Sequence, residues 1–144
     1  MNKDETAIRG VLADFTRAIR ERDAAGMIAS LSDDEETFDL APPLKMGPEE
    51  THDPALIEQW FDTWEGPIVS ESQDLKVAVG GDVGYAYGIQ HLTGTKKGGG
   101  DIDLWFRATA CFRRDGGRWR ITHMHNSVPF AMDGSEKALL DLEP

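Results

Sequence analysis

The chain has 144 residues, a usual length for one domain, with 26 acidic against 15 basic residues and a formal net charge of -11. This charge repels nucleic acids and anionic membrane surfaces, so we expect neither as a partner. No apolar run approaches the roughly 20 residues that span a bilayer, and the N-terminus lacks the pattern of a signal peptide. The single cysteine, Cys111, excludes an intramolecular disulfide. We therefore expect one domain, residues 1–144, in the cytoplasm.

The first third of the chain has the apolar spacing of helices. Apolar residues at intervals of three and four predict an amphipathic helix over residues 4–21. Asp23 is a suitable N-cap for a short second helix that buries Leu31. The acidic residues 33–36 are expected to end this helix.

A proline-rich segment precedes a third helix. Residues 37–51 contain three prolines and are predicted to form a long irregular loop at the rim of a pocket. Asp53 followed by Pro54 gives an N-cap and a first helical turn, and Gly66 is the predicted end of the helix. This third helix carries several aromatic residues on one face.

From Pro67 onward the apolar pattern changes to that of strands. Glycine-rich turn signals separate four predicted strands, at residues 68–79, 83–95, 102–114 and 118–128. Helices followed by a meander of strands are typical of an α+β domain. In the tail, residues 138–142 are expected to form a short helix-like segment that packs on the domain or on a second subunit.

Three segments carry a resemblance to a known family. Residues 60–68, residues 103–109, and residues 123–130 with 132–135 resemble the SnoaL-like group, which includes ketosteroid-isomerase-like proteins, of the nuclear-transport-factor-type superfamily. Residues 112–116, with a tryptophan and a His-x-His after them, are similar to the association domain of calcium/calmodulin-dependent kinase.

The resemblance implies a fold and an assembly. It implies a strongly curved, mainly antiparallel sheet of four to six strands, wrapped on about three N-terminal helices and enclosing a conical pocket. It also implies one SnoaL-like domain over residues 1–144 and a homodimer formed through the outer face of the sheet. It does not imply one activity, because this fold carries isomerases, cyclases, dehydratases and purely oligomerising domains.

Two functions therefore stay open. The first is a cofactor-independent isomerase, cyclase or dehydratase that acts next to a carbonyl of a hydrophobic ligand. The second is a non-catalytic ligand-binding or oligomerisation module, favoured because Met124 and Asn126 stand where resembling chains have acidic residues. A metal site at His123 and His125 is a weaker alternative, because no carboxylate follows before Asp133. We expect neither a metal nor a cofactor.

Asp39 and Arg107 are the candidate catalytic residues. Superfamily isomerases resemble this chain in placing a general-base aspartate before a proline-bearing loop, and the apolar neighbours of Asp39 would raise its pKa. The alternative for Asp39 is a turn or cap. Arg107 either orients a ligand carbonyl or carboxylate, or forms an ion pair with Asp103 or Asp14.

The expected ligand-binding residues come from the apolar helix faces and from strand alternation. By analogy with the kinase domain, the strand face of Trp105, Arg107 and Thr109 and the face of Met124 and Asn126 both line the pocket, although a bulge would reverse an assignment. The full set of predicted ligand-binding residues is Phe15, Trp60, Trp64, Tyr87, Trp105, Thr109, Met124, His125 and Asn126.

Overall fold

The computed structural model describes residues 2–144 and has an α+β architecture. Its helices are α1 (Lys3–Arg20), α2 (Ala24–Ala29), α3 (Pro48–Thr51) and α4 (Pro54–Phe61). Its strands are β1 (Leu31–Phe38), β2 (Trp64–Gly80), β3 (Val83–Lys96), β4 (Gly100–Asp115) and β5 (Arg118–Ser127). The α+β prediction is thus confirmed, with one more helix and one more strand than the sequence pattern indicated.

The predicted helix starts are confirmed by their capping bonds. The Asp23 carboxylate accepts a hydrogen bond from the main-chain N–H of Gly26 at 3.0 Å, at the start of α2. The Asp53 carboxylate accepts one from Ala55 at 2.9 Å, and Pro54 occupies the first position of α4. These bonds satisfy main-chain donors that a helix leaves unpaired at its N-terminus.

The acidic segment after α2 is a strand, which corrects the prediction made for it. β1 begins at Leu31 and pairs in parallel with β5, with Thr37 opposite Met124 and Phe38 opposite His125. The register shifts between Leu31 and Glu36, and Asp33 and Asp34 are both exposed. From Glu35 onward alternation places Glu35 and Thr37 on one face of the sheet and Glu36 and Phe38 on the other. This long-range pairing gives the acidic run a partner strand, which local propensity alone does not reveal.

The five strands form one mixed sheet in the order β1-β5-β4-β3-β2, antiparallel except for the β1–β5 pair. The sheet is curled but not closed, since β1 and β2 are edge strands that do not pair with each other within residues 2–144. The helices cover one face, called here the inner face. The opposite face is called the outer face.

Two apolar clusters hold the helices on the inner face. One cluster joins Ile8 and Phe15 of α1 to strand residues that include Ala110, Phe112 and Ile121. The other joins α2 and α4 to the start of β2, through Ala24, Phe61, Trp64 and Ile68. Burial of each isoleucine and phenylalanine side chain in these clusters stabilises the fold by about 1.5–3 kcal/mol relative to an exposed position.

The C-terminal segment differs from its prediction. Within residues 128–144 no helix is found, and Phe130 instead forms a β-bridge with Ala138. Phe130 and Met132 remain exposed. Packing of this tail on a second subunit therefore stays a prediction.

Two cavities lie outside the predicted conical pocket. A cavity of about 410 Å³ lies between α1, α2 and the start of β5. A second, of about 560 Å³, is lined by residues of β2, β3 and β4 that include Tyr85 and Cys111. Neither is lined by a predicted ligand-binding residue, so the enclosed pocket stays a prediction.

No helix in residues 2–144 combines the length and the apolar character needed to cross a membrane.

Candidate functional site

Strand pairing decides which side chains of β4 point to the inner face. The β3–β4 register runs without a bulge from Val83–Arg113 to Lys96–Gly100, so alternation is preserved along the whole of β4. Ala110 and Phe112 belong to the apolar cluster with α1, which places the even-numbered residues of β4 on the inner face. Trp105, Arg107 and Thr109 therefore lie on the outer face.

A bulge in β5 places Met124 and Asn126 on the inner face, although Thr109 of β4 lies on the outer face. Ile121 pairs with Phe112 but His123 pairs with Cys111, so Thr122 is an extra residue in β5. After the bulge, Met124 pairs with Ala110 on the inner face. Both sides of the bulge thus present apolar residues to the core.

The prediction that residues of β4 and β5 line the same face of the sheet is wrong for the β4 residues. Thr109 pairs with His125, and Asn126 pairs with Ala108, so Thr109 and Asn126 lie on opposite faces of the sheet. Tyr87 pairs with Thr109 and shares the outer face with it. The predicted residues fall into two groups. The inner side holds Phe15, Trp60, Trp64, Met124, Asn126 and Asp39; the outer face holds Tyr87, Trp105, Arg107, Thr109 and His125.

The inner face of β1 carries a carboxyl group that the sequence pattern did not single out. Glu35 has no exposed surface. The Thr37 hydroxyl lies 2.7 Å and 3.0 Å from its two carboxyl oxygens and donates to this group. The pKa of Glu35 is raised from 4.5 to about 7, chiefly by burial and to a smaller extent by the charge of Asp39. Hydrogen bonds from Thr37, Thr51 and the main chain of Met124 act in the opposite direction. Glu35 thus titrates near neutrality.

Asp39 lies at the end of β1, on the same side as Asn126. Its carboxylate accepts hydrogen bonds from the main-chain N–H of Leu40 at 2.8 Å and from the Asn126 side-chain amide at 3.2 Å. Asp39 is exposed, so the apolar setting expected for it is found instead at Glu35. The two carboxyl groups form an unequal pair, one buried and one open to solvent.

Helix α3 covers the buried carboxyl group through a short polar chain. Thr51 is buried, and its hydroxyl donates to the main-chain oxygen of Glu35 at 3.3 Å and lies 3.0 Å from Nδ1 of His52. The same Nδ1 lies 3.0 Å from the main-chain oxygen of Pro48. Nε2 of His52 is buried and has no hydrogen-bond partner within residues 2–144.

The aromatic wall at the other end of the inner side consists of α4 and the start of β2. Trp60 is 36% exposed and meets the buried Trp64 edge-on, with ring centroids 5.8 Å apart. Nε1 of Trp64 is buried without a partner within residues 2–144. The wall therefore offers apolar surface at Trp60, whereas the unpaired N–H of Trp64 is buried beneath the protein surface.

Arg107 is exposed and donates from Nε to the Ser127 hydroxyl at 3.2 Å. The predicted ion pairs with Asp103 and Asp14 are not found among residues 2–144. Asp103 instead accepts a 2.6 Å bond from His91, and Asp14 pairs with Arg17. A role for Arg107 in orienting a ligand on the inner side is incompatible with its place on the outer face.

The two histidines of β5 share the outer face. Nδ1 of His123 donates to the main-chain oxygen of Glu36 at 2.8 Å, and Phe38 packs edge-on against both His123 and His125. Within residues 2–144, no three histidine, cysteine, aspartate or glutamate side chains come together as a metal site. His123 and His125 together are two ligands, whereas a structural zinc ion has four.

A curled five-stranded mixed sheet with helices on one face matches the nuclear-transport-factor-2-like (NTF2-like), cystatin-like class of α+β proteins. Solved structures of this class superpose on most of the chain. An NTF2-like protein of unknown function from Pseudomonas putida has a TM-score of 0.85 and 33% identity, with 98% of this chain and 96% of that chain covered.

The chain belongs to the SnoaL-like domain family, which matches residues 8–131. A ketosteroid isomerase-like protein from Erwinia carotovora has a TM-score of 0.73 and 19% identity, covering 88% of this chain and 97% of that chain. A Streptomyces avermitilis protein, provisionally named a dehydratase of the NTF2-like family, has a TM-score of 0.77 and 16% identity, with 89% and 97% covered. At these identities the two show the fold alone. Among curated proteins, none matches the chain.

Sequence reasoning missed Glu35, Thr51 and His52. The only local signal for Glu35 is that Glu35 and Thr37 alternate with Glu36 and Phe38, which is typical of a strand. Because four acidic residues follow one another at 33–36, this alternation does not stand out in the sequence. No local signal marks Thr51 and His52, because α3 reaches Glu35 only through the tertiary fold.

Proposed function

We propose that this chain is a cofactor-independent enzyme that moves a proton next to a carbonyl group of a hydrophobic small molecule, as in isomerisation, cyclisation or dehydration. The observation that carries the proposal is the unequal carboxyl pair, exposed Asp39 and buried Glu35, at one end of the inner face. Acid–base enzymes commonly place two titratable groups in environments that separate their pKa values.

Asp39 is the proposed general base. Its carboxylate is oriented by the N–H of Leu40 and the amide of Asn126, and it remains open to a ligand. It takes a hydrogen from the carbon next to the carbonyl as a proton, and the electron pair of that C–H bond passes into the carbonyl group to form an enolate. Return of the proton from Asp39 to a second carbon completes an isomerisation, with no net change in charge.

Glu35 is a positioning residue in this scheme, because it acts through its charge and not by contact with the ligand. With a pKa of about 7, its carboxyl is mainly protonated below that pH. Protonated Glu35 adds no negative charge beside the enolate, whereas ionised Glu35 repels it. The rate of proton transfer should therefore fall as pH rises through about 7.

Family membership supports the proposal at the level of the class. The Erwinia protein is named ketosteroid isomerase-like and the Streptomyces protein carries its provisional dehydratase name. Isomerisation and dehydration next to a carbonyl both begin with removal of a proton, and an open carboxylate can perform this step without a cofactor.

The experiment uses 2-tetralone, a neutral bicyclic ketone, and follows exchange of its α-hydrogens in D2O by NMR. Asp39→Asn should lower the catalysed rate about a hundredfold or more, the usual value of a general base. Glu35→Gln should keep the low-pH rate and lose the decline above neutrality. Glu36→Gln, a neighbouring half-exposed carboxyl that pairs with Lys45, is the matched control and should behave as the wild type. An unchanged rate in Asp39→Asn would overturn the proposal.

The outer face favours a second function, assembly into a homodimer. Tyr85 and Tyr87 stack with centroids 6.2 Å apart and are 49% and 48% exposed, and His91 stacks on Trp105 at 4.0 Å. The tyrosines are exposed and the His91–Trp105 stack is half-buried. Exposed aromatic groups are typical of protein interfaces.

Analytical ultracentrifugation tests this assembly. Wild type should sediment as a dimer and Tyr87→Glu as a monomer. Leu44→Glu, at a residue that is 97% exposed on the loop after β1, is the matched control and should leave the dimer intact. A monomeric wild type would remove this second function.

A further inference from the structure

Within residues 2–144, the groups that donate hydrogen bonds to the carboxyl groups of Glu35 and Asp39 are all neutral. Glu35 is contacted by the Thr37 hydroxyl, and Asp39 by the main-chain N–H of Leu40 and the amide of Asn126. No lysine or arginine is among the groups that lower the pKa of Glu35. The negative charge of the site therefore has no basic partner among the groups that contact Glu35 and Asp39.

Two basic side chains that reach β1 are paired with other carboxylates of that strand. Arg113 pairs with Asp34 at 3.0 Å, and Lys45 pairs with Glu36 at 3.2 Å. Arg107 lies on the outer face with Ser127. A ligand that carries its own anion would thus meet Asp39 without a counter-charge, and repulsion between the two negative charges would weaken its binding.

We infer that the site selects ligands by charge: it accepts neutral and amine-bearing apolar molecules and rejects carboxylates and phosphates. The inference rests on the proposed function in one respect, that the ligand lies beside Asp39. It names the ligand class that the proposed function leaves open, and it assigns the discrimination to Glu35 and Asp39 together.

The dependence of binding affinity on pH should differ between positively charged, negatively charged and neutral ligands. Glu35 gains negative charge as pH rises through about 7. A protonated amine should therefore bind more tightly at high pH, a carboxylate should bind more weakly, and a neutral ketone should be unaffected. The neutral compound serves as an internal control for any general change in the protein with pH.

The experiment compares three compounds with one skeleton, namely 2-aminotetralin, 2-tetralone and tetralin-2-carboxylate. Dissociation constants are measured by NMR titration of the full chain at about pH 6 and about pH 8. Over this range the amine should gain affinity by up to about tenfold, and the carboxylate should bind at least about tenfold more weakly than the ketone at the higher pH. In Glu35→Gln the pH dependence for the amine should disappear.

Two lysine variants test the position of the charge. Asn126→Lys places a cation on the inner face beside Asp39 and should raise the affinity for the carboxylate. Ser127→Lys places the same charge one residue along, on the outer face, and should leave the order of the three affinities unchanged.

Equal binding of the carboxylate and the ketone in the wild type would overturn the inference. If the three compounds bind in the expected order of affinity but the α-hydrogens of the ketone do not exchange, the proposed enzyme activity is refuted and the inference stands. Absence of binding by all three compounds would overturn both.

Discussion

Replacing Glu35 by glutamine should flatten the dependence of folding stability on pH. Glu35 is fully buried and its pKa is raised from 4.5 to about 7, so the folded state binds more protons than the unfolded state between these values. The stabilisation that comes from protonated Glu35 is complete below the unfolded pKa and is lost as pH rises through the folded pKa. Stability from this group therefore falls between about pH 4.5 and about pH 7.

The magnitude follows from the size of that interval. Each pKa unit corresponds to about 1.4 kcal/mol, so the shift from 4.5 to about 7 amounts to about 3 kcal/mol at full ionisation. This is a substantial part of the 5–15 kcal/mol or so that usually stabilises a domain. Glutamine keeps the size of the side chain and can still accept the Thr37 hydrogen bond, but it cannot ionise.

Urea unfolding at about pH 5, 6, 7 and 8 measures the free energy of unfolding for both proteins. All other titrating groups are common to both, so they cancel in the difference between wild type and Glu35→Gln. That difference should grow in favour of the variant as pH rises. Glu36→Gln is the matched control, and its curve should run parallel to that of the wild type.

A Glu35→Gln curve parallel to the wild-type curve would refute the reasoning, since it would mean that Glu35 ionises in the folded state as readily as in the unfolded one.

Three further predictions concern the fold that holds the site, each checked by urea unfolding. Phe112→Ala removes a side chain that is 2% exposed and should cost about 3–5 kcal/mol; a cost below about 1 would contradict its place in the core. Gly94→Ala places a Cβ 2.8 Å from Cζ3 of buried Trp64 and should destabilise by about 1–3 kcal/mol, whereas a neutral effect would mean that the ring can move. Asp23→Ala removes the cap of α2 and should cost about 1 kcal/mol, with Asp23→Asn, which can still accept the bond, close to wild type.

Local patterns predicted most of the elements because their signals are carried by neighbouring residues. The caps at Asp23 and Asp53 were recognised from a carboxylate placed before an apolar helix face, and both accept the expected main-chain bond. The four later strands were recognised from alternation and glycine turns, and each matches a strand of the sheet to within a few residues. Family segments then predicted the α+β class and the curled sheet.

The candidate site was only partly predictable, because it depends on contacts between residues that are far apart in the sequence. Asp39 and Asn126 were selected separately, and the fold brings them into contact. The single extra residue at Thr122 keeps Met124 and Asn126 on the inner face while Arg107 and Thr109 point outward. Alternation within one strand cannot reveal such a bulge in its partner.

The α+β order, the helix caps and the family can be inferred from the amino-acid sequence, because they follow from residue type at short range. Which acid of the run 33–36 is buried cannot be inferred in this way, because burial depends on the parallel pairing of β1 with β5 and on the cover that α3 provides. Glu35 differs from its exposed neighbours in its surroundings and not in its local sequence pattern, and its raised pKa is a consequence of those surroundings.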